Sequence, residues 1–254
     1  MKIVLTNDDG PHSPALRSIV KLLSSQGHQV VVVVPEKQRS AAGFARTYHK
    51  PLRVRKVGDI YVTNGYPADA VFLALKLLAP DAELVLSGVN VGENIGFEST
   101  YGSGTIAAAV QAGILGYKGV AVSMEDGAKW ELVASALSAL VDAAAEQWSE
   151  GLVAVSVNVP SCWSGAVESP KSLALGVFSE ALHRGRDPRG EELYWRWGPR
   201  ADAFPPDTDA YAFYVLRAIT ALGICTHGVC SVREIAEEIK RRLALPPDPH
   251  CGGS

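Results

Sequence analysis

The chain carries five consecutive valines at positions 30–34, closed by Pro35. An unbroken β-branched run has no polar face, so it reads as a strand covered on both sides, the arrangement of parallel sheets packed between helices. Ile3-Val4-Leu5, Leu84-Val85-Leu86, Val120-Ala121-Val122 and residues 153–159, which end at Pro160, read the same way. Between them lie stretches of helical period. These are Leu16, Ile19, Val20, Leu22 and Leu23; Val71, Leu75 and Leu78 within 68–78; the small-residue stretch 106–115; and Val133, Leu137, Leu140 and Val141 within 130–148. Strand and helix in alternation, joined by right-handed crossovers, predict an α/β fold with a doubly wound, mostly parallel sheet.

The alternation holds over residues 1–160, the expected core. Residues 161–254 read as an irregular C-terminal lobe that is structurally continuous with it. Residues 161–210 are rich in Pro, Gly and Arg, with strand-like pieces at 173–178 and 193–197. The apolar stretch 211–224 fits either a helix or a strand. A terminal helix is expected over 231–243, opened by a capping box of Ser231 and Glu234, with a frayed tail from Pro246 onward. Hairpins and a final helix suit this lobe to subunit contacts.

With 254 residues, 47% of them hydrophobic and 20% charged, the chain has the make-up of a soluble globular protein able to bury a large core. A formal charge of -3 gives no case for a nucleic-acid polymer or an anionic membrane, so attraction of an anionic ligand would have to be local. No run of 18 apolar residues occurs, and Met1-Lys2 leads straight into a strand, so a cytoplasmic location is the expectation. Cys162, Cys225, Cys230 and Cys251 form no Cys-x-x-Cys pair, and buried thiols are the first expectation for them. Disulfides are the alternative, since some intracellular proteins of hyperthermophiles carry them.

The polar residues gather where the strands end. After the first strand come Asn7, Asp8, Asp9 and Gly10. Ligands of open α/β sheets bind beyond the carboxyl ends of the strands. Two adjacent carboxylates there repel one another and resist desolvation unless a cation neutralises them. The competing reading is that they cap the helix that follows. Ser40 lies in the loop after the valine run. Asn90 and Asn94 lie in Ser87-Gly88-Val89-Asn90-Val91-Gly92-Glu93-Asn94-Ile95-Gly96, where glycines at four-residue spacing let the backbone approach a ligand. Gly102-Ser103-Gly104-Thr105 then opens a helix, which makes either an anion site or a plain N-cap. Carboxylate, hydroxyl and amide oxygens are hard donors suited to Mg²⁺ or Mn²⁺. His12, just past Gly10, reads as a surface or helix-entry residue rather than a ligand. A hard cation beside an anion-binding helix start describes a phosphate-ester site, where it would polarise the phosphoryl group and activate water.

These residues resemble the SurE (survival protein E) family of metal-dependent nucleotidases and acid phosphatases. The matching pieces are Thr6-Asn7-Asp8-Asp9-Gly10, Gln38-Arg39-Ser40, Gly65-Tyr66-Pro67-Ala68-Asp69, residues 87–96 and residues 103–109, in family order. Asn158-Val159-Pro160 and Arg186-Asp187-Pro188-Arg189-Gly190 extend the likeness. The resemblance implies a Rossmann-like sheet with a C-terminal portion exchanged between subunits, as homodimers and sometimes tetramers. It implies that Asp8, Asp9, Ser40 and Asn90 hold a divalent metal, Mg²⁺ or Mn²⁺. It also implies that Asn94, Ser103, Gly104 and Thr105 face the phosphate, with Asp8, Asp9 and Asn94 in catalysis. The implied activity is hydrolysis of 5′- and 3′-nucleoside monophosphates, with looser action on other phosphomonoesters and polyphosphate.

Two alternatives stand beside it. A phosphatase forming an aspartyl phosphate would use Asp8 as nucleophile, but that type places its aspartates two apart. A nucleotide-binding regulatory module without turnover would explain the glycines and Ser103, and would leave Asp8 and Asp9 without a purpose.

Overall fold

Alternate residues of the central strands point into two different cores. Ile3 and Leu5, Val32 and Val34, and Leu84 and Leu86 enter one, while Val4, Val33 and Val85 enter the other. The computed structural model describes residues 1–251. In order they form β1 (Lys2–Thr6), α1 (Leu16–Ser25), β2 (Gln29–Pro35), β3 (Val54–Val57), β4 (Ile60–Thr63) and α2 (Pro67–Leu73), which runs on into a π-helical turn, Ala74–Leu78. Then come β5 (Leu84–Val91), α3 (Gly96–Gly102), α4 (Gly104–Ile114), β6 (Lys118–Met124), α5 (Trp130–Glu146), β7 (Leu152–Val159) and β8 (Val167–Glu168). The chain closes with β9 (Leu182–Arg186), β10 (Glu192–Arg196), a π-helical turn Tyr211–Val215, β11 (Ile219–Cys225), β12 (Gly228–Ser231) and α6 (Arg233–Arg242).

The main sheet runs β12-β11-β7-β6-β5-β1-β2-β4-β3, with β8 beside β11. The six strands from β7 to β4 pair in parallel, and antiparallel β11, β12 and β3 finish the edges. Helices α1, α5 and α6 cover one face, and α2 and α4 the other. This is the expected doubly wound α/β architecture. The β3–β4 pair is an addition: β3 is short and largely exposed, and β4 buries only Val62 and Thr63, so four residues each carry too little apolar signal to read as core strands. No helix among the described residues is long and apolar enough to cross a membrane.

The C-terminal lobe departs from expectation in four places. Residues 173–178 form no ladder, with single bridges at Ser172 and Phe178, because their backbone bonds go singly to distant segments: Phe97 to the Ala174 carbonyl, Ala201 to the Val177 carbonyl and the Ala174 amide to Asp209. The stretch 211–224 is both things at once, a π turn and then β11. Ser231 does not cap α6: its hydroxyl donates to Ser169, and α6 begins at Arg233 with no side-chain cap. The tail is not frayed up to residue 251, because Asp248 accepts the Trp163 amide at 3.0 Å and pairs with Lys129. Residues 252–254 lie outside the described residues. The cysteines are correspondingly not thiols. Cys162 is joined to Cys251 and Cys225 to Cys230, so two disulfides staple the lobe.

Candidate active site

The strand order reverses between β1 and β5: the chain leaves β1 toward β2 on one side and returns through β5 on the other. Such a switch point opens a crevice at the carboxyl ends of both strands. Asp8 and Asp9 sit just past β1. Asn90 sits near the end of β5, three residues beyond Ser87, which pairs with Thr6. A bulge re-aims it, since Gly88 pairs with Val122 and Asn90 with Ser123, leaving Val89 unmatched.

Asn7 shapes the first turn. Its Oδ1 accepts the Gly10 amide at 2.9 Å and its Nδ2 donates to the Gly10 carbonyl at 3.1 Å. Gly10 has φ +85°, and a Cβ there would come within 3.0 Å of the Pro35 carbonyl, so only glycine fits. The Asp8 carbonyl accepts the Arg39 amide at 2.7 Å, which ties the Ser40 loop to this turn. Gly104, at the start of α4, lies so close that a Cβ would stand 3.1 Å from Asp8 Cβ. The turn after β1, the loop after β2 and the start of α4 therefore meet around Asp8.

Asp8 is buried and Asp9 partly so. Burial raises the pKa of Asp8, opposed by a hydrogen bond from Thr105; burial and then the charge of Asp8 raise that of Asp9. Neither carboxylate pairs with a Lys, Arg or His among the described residues. Neither caps α1, whose N-cap is Ala15, so the capping alternative falls away. Asn90 donates its Nδ2 to the Gly92 carbonyl at 2.6 Å, leaving Oδ1 free as an acceptor. The donor set is hard and half anionic, which fits a divalent cation. Among the described residues no three His, Cys, Asp or Glu side chains cluster for a metal, so a cation here would need hydroxyl or amide oxygens beside the two carboxylates.

The remaining predicted residues are placed as follows. Ser40 is exposed and accepts from Gln38 Nε2 at 3.0 Å. Ser103 is the N-cap of α4, its Oγ accepting the Ile106 amide at 3.2 Å. Thr105 is buried and donates its hydroxyl to Asp8 Oδ1. Asn94 lies on the far side of Asn90 from Asp8, over the ends of β6 and β7. Its amide N–H donates to Asn158 Oδ1 and its Nδ2 to Ser123 Oγ, each at 2.7 Å. His12 is exposed.

A model of the family Survival protein SurE matches residues 3–178. The chain belongs to the SurE family. It is 59% identical over 239 residues to "5′-nucleotidase SurE 2" of Pyrobaculum aerophilum, covering 94% of this chain and 96% of that one. It is 36% identical to "5′-nucleotidase SurE" of Hyperthermus butylicus, over 86% and 82% of the two chains. The crystal structure of the SurE protein from Aquifex aeolicus superposes with a TM-score of 0.73 at 28% identity, covering 95% of this chain and 99% of that one.

Several supports of this SurE site escaped the sequence reading. Asp209 is buried and accepts the amides of Gly96, Ala174 and Ala210 at 2.6–2.9 Å, which anchors the asparagine loop to the C-terminal lobe. Burial raises its pKa against those three hydrogen bonds. Asp69, within the Gly65-Tyr66-Pro67-Ala68-Asp69 motif, accepts the amides of Tyr66 and Thr47 and so holds the segment after Ser40. At the start of a helical turn, as at Asp69 in α2, the sequence carries no signal that distinguishes an anchoring Asp from a solvated charge. Asn158, at the end of β7, carries one: it is a buried polar residue at a strand end. Beside the Ser40 loop, Lys37, Arg39, Lys50, Arg53 and Arg55 line a cleft of about 880 Å³ with Glu36 as the one acid. Among the described residues none of these five cations is in an ion pair.

Proposed function

We propose that this SurE protein is a divalent-metal-dependent phosphomonoesterase that hydrolyses nucleoside monophosphates. The observation that carries this reading is the unpaired Asp8–Asp9 couple at the switch point, pressed against the start of α4. Carboxylates repel a phosphate ester, so this placement serves a phosphate only with a cation between them. The names of the relatives, all 5′-nucleotidases, support the substrate class.

Asp8, Asp9, Ser40 and Asn90 would hold Mg²⁺ or Mn²⁺. When bound, the cation supplies Lewis-acid polarisation of the phosphoryl oxygens and lowers the pKa of water. Thr105 fixes one oxygen of Asp8, leaving the other for the ion. Ser103 satisfies the Ile106 amide, while the remaining first-turn amides of α4 and the helix dipole face the phosphate with fixed donors. Asn94, held by Ser123 and Asn158, offers its amide oxygen and second N–H from the opposite wall. Donors aimed in advance at developing charge are worth the most because nothing must reorganise during reaction. The basic cleft raises the local concentration of anions around an otherwise acidic chain.

The same reading includes a homodimer built through the C-terminal lobe. Support comes from the β9–β10 hairpin and its flanks, where Leu182, Trp195 and Trp197 are exposed.

Release of phosphate from AMP and from p-nitrophenyl phosphate, with Mg²⁺, with Mn²⁺ and with chelator, tests the proposal. Activity should require metal, and Asp9→Asn should lower metal affinity and turnover together, by about a hundredfold or more. Full activity in chelator would overturn it.

A further inference from the structure

The site described so far accounts for the phosphate and says nothing of the rest of the substrate. Immediately beside Ser103 a cavity of about 200 Å³ runs along one face of α4. Ser103, Ile106 and Val110 form its floor at helical spacing, and Phe44 and Tyr101 stand over it. Pockets that engulf a whole drug-sized ligand measure roughly 300–1,000 Å³, so this one has room for a single part of a substrate.

Two features give its chemistry. Its surface is apolar and partly aromatic, and both rings are held by partners of their own. Tyr101 packs on Phe97 with centroids 4.6 Å apart, and the Arg46 guanidinium lies 4.4 Å from the centre of Phe44. Ile224 and Val229 complete the apolar lining. Apolar walls with aromatic edges suit the flat faces of a planar heterocycle. They do not suit a bare sugar.

We infer that this cavity holds the nucleobase of the substrate, with Phe44 and Tyr101 as its aromatic walls. The inference rests on the phosphomonoesterase reading and adds the residues that select the leaving group. Ser103 joins the two halves, since it opens the phosphate-facing helix and lines the cavity at once.

The test compares AMP with ribose 5-phosphate, which keeps the ester and lacks the base, in the wild type, Tyr101→Ala and the cavity-filling Ala107→Leu. Tyr101→Ala and Ala107→Leu should raise KM for AMP about tenfold, the order a base–aromatic stack supplies. KM for ribose 5-phosphate and kcat for both should stay put. Equal changes for both substrates, or none for either, would overturn the assignment. So would a changed particle mass in solution with an unchanged substrate ratio, which would mark the face as a subunit contact. Adenosine binding by calorimetry separates the two readings. If adenosine binds the wild type but not Tyr101→Ala while no ester is hydrolysed, the cavity assignment stands and the hydrolase reading falls.

Discussion

Thr105 donates its hydroxyl to Asp8 Oδ1 at 2.7 Å, from 97 residues further along the chain. The bond holds one carboxylate oxygen of Asp8 and couples the first turn of α4 to the turn after β1. Outer partners of a ligating carboxylate are worth about 10–100-fold in metal affinity or activity. Thr105→Val keeps the shape and removes the donor. It should lower metal affinity and kcat/KM by that factor, while thermal unfolding of the metal-free protein changes little. A metal titration followed by initial rates checks this, and unchanged affinity would show that Asp8 is oriented by packing alone.

The basic cleft makes a kinetic prediction. Lys37, Arg39, Lys50, Arg53 and Arg55 have no carboxylate partners among the described residues. A focused field of this kind is screened over about 10 Å at 0.1 M salt. Raising ionic strength from 0.02 to about 0.5 M should lower kcat/KM for AMP several-fold, mainly through KM. Arg53→Gln with Arg55→Gln should flatten that dependence without altering kcat. A salt profile identical to that of the wild type would assign the cleft no part in substrate capture.

Much of this was legible because the site is made of strand ends. Five β-branched residues in a row fix a two-faced strand, and the polar residues after each such strand are by geometry neighbours at one edge of the sheet. In the C-terminal lobe the strand at 193–197 and the final helix were legible, and the rest was not, for the opposite reason. Residues 173–178 and 211–215 take their shape from contacts far along the chain, such as Asp209 with Gly96 and Ala174, and local pattern carries no trace of those. Ser231 illustrates the limit: its spacing to Glu234 reads as a cap, yet Ser169 offers its hydroxyl a better partner. The cysteine pairs were equally hidden, since their spacing says nothing of which loops return.

Glu125 ties the end of β6 to the lobe. It accepts the Ser161 amide and hydroxyl at 2.7 Å each and Arg217 Nη2 at 2.8 Å. Burial alone would raise its pKa, but the Arg217 guanidinium and the two Ser161 bonds outweigh it and hold the carboxyl below its usual range. A depressed carboxylate contributes stability that is fully present above its unfolded pKa of about 4.3 and is lost as pH falls through the folded value. The wild type should therefore lose stability below about pH 4, and Glu125→Gln should show a shallower acid limb with about 1–3 kcal/mol less stability at pH 7. Chemical denaturation at pH 7, 5 and 3.5 checks this. Parallel curves for the two proteins would remove Glu125 from the acid response.

Cys162 and Cys251 are joined across 89 residues, and the linkage holds the last described turn against Trp163, where Asp248 also bonds. In the chain-entropy account a closed loop of that length stabilises the fold by about 4–5 kcal/mol, whereas the five-residue separation of Cys225 and Cys230 closes far less chain and contributes less. Cys251→Ser should therefore lower the thermal midpoint by several degrees, and Cys225→Ser should lower it less. Wild-type protein unfolded without reductant should react with no thiol reagent, and reductant should shift its midpoint toward that of Cys251→Ser. Four reactive thiols in the unfolded, unreduced chain would mean that the lobe is held by packing and the Lys129–Asp248 pair instead.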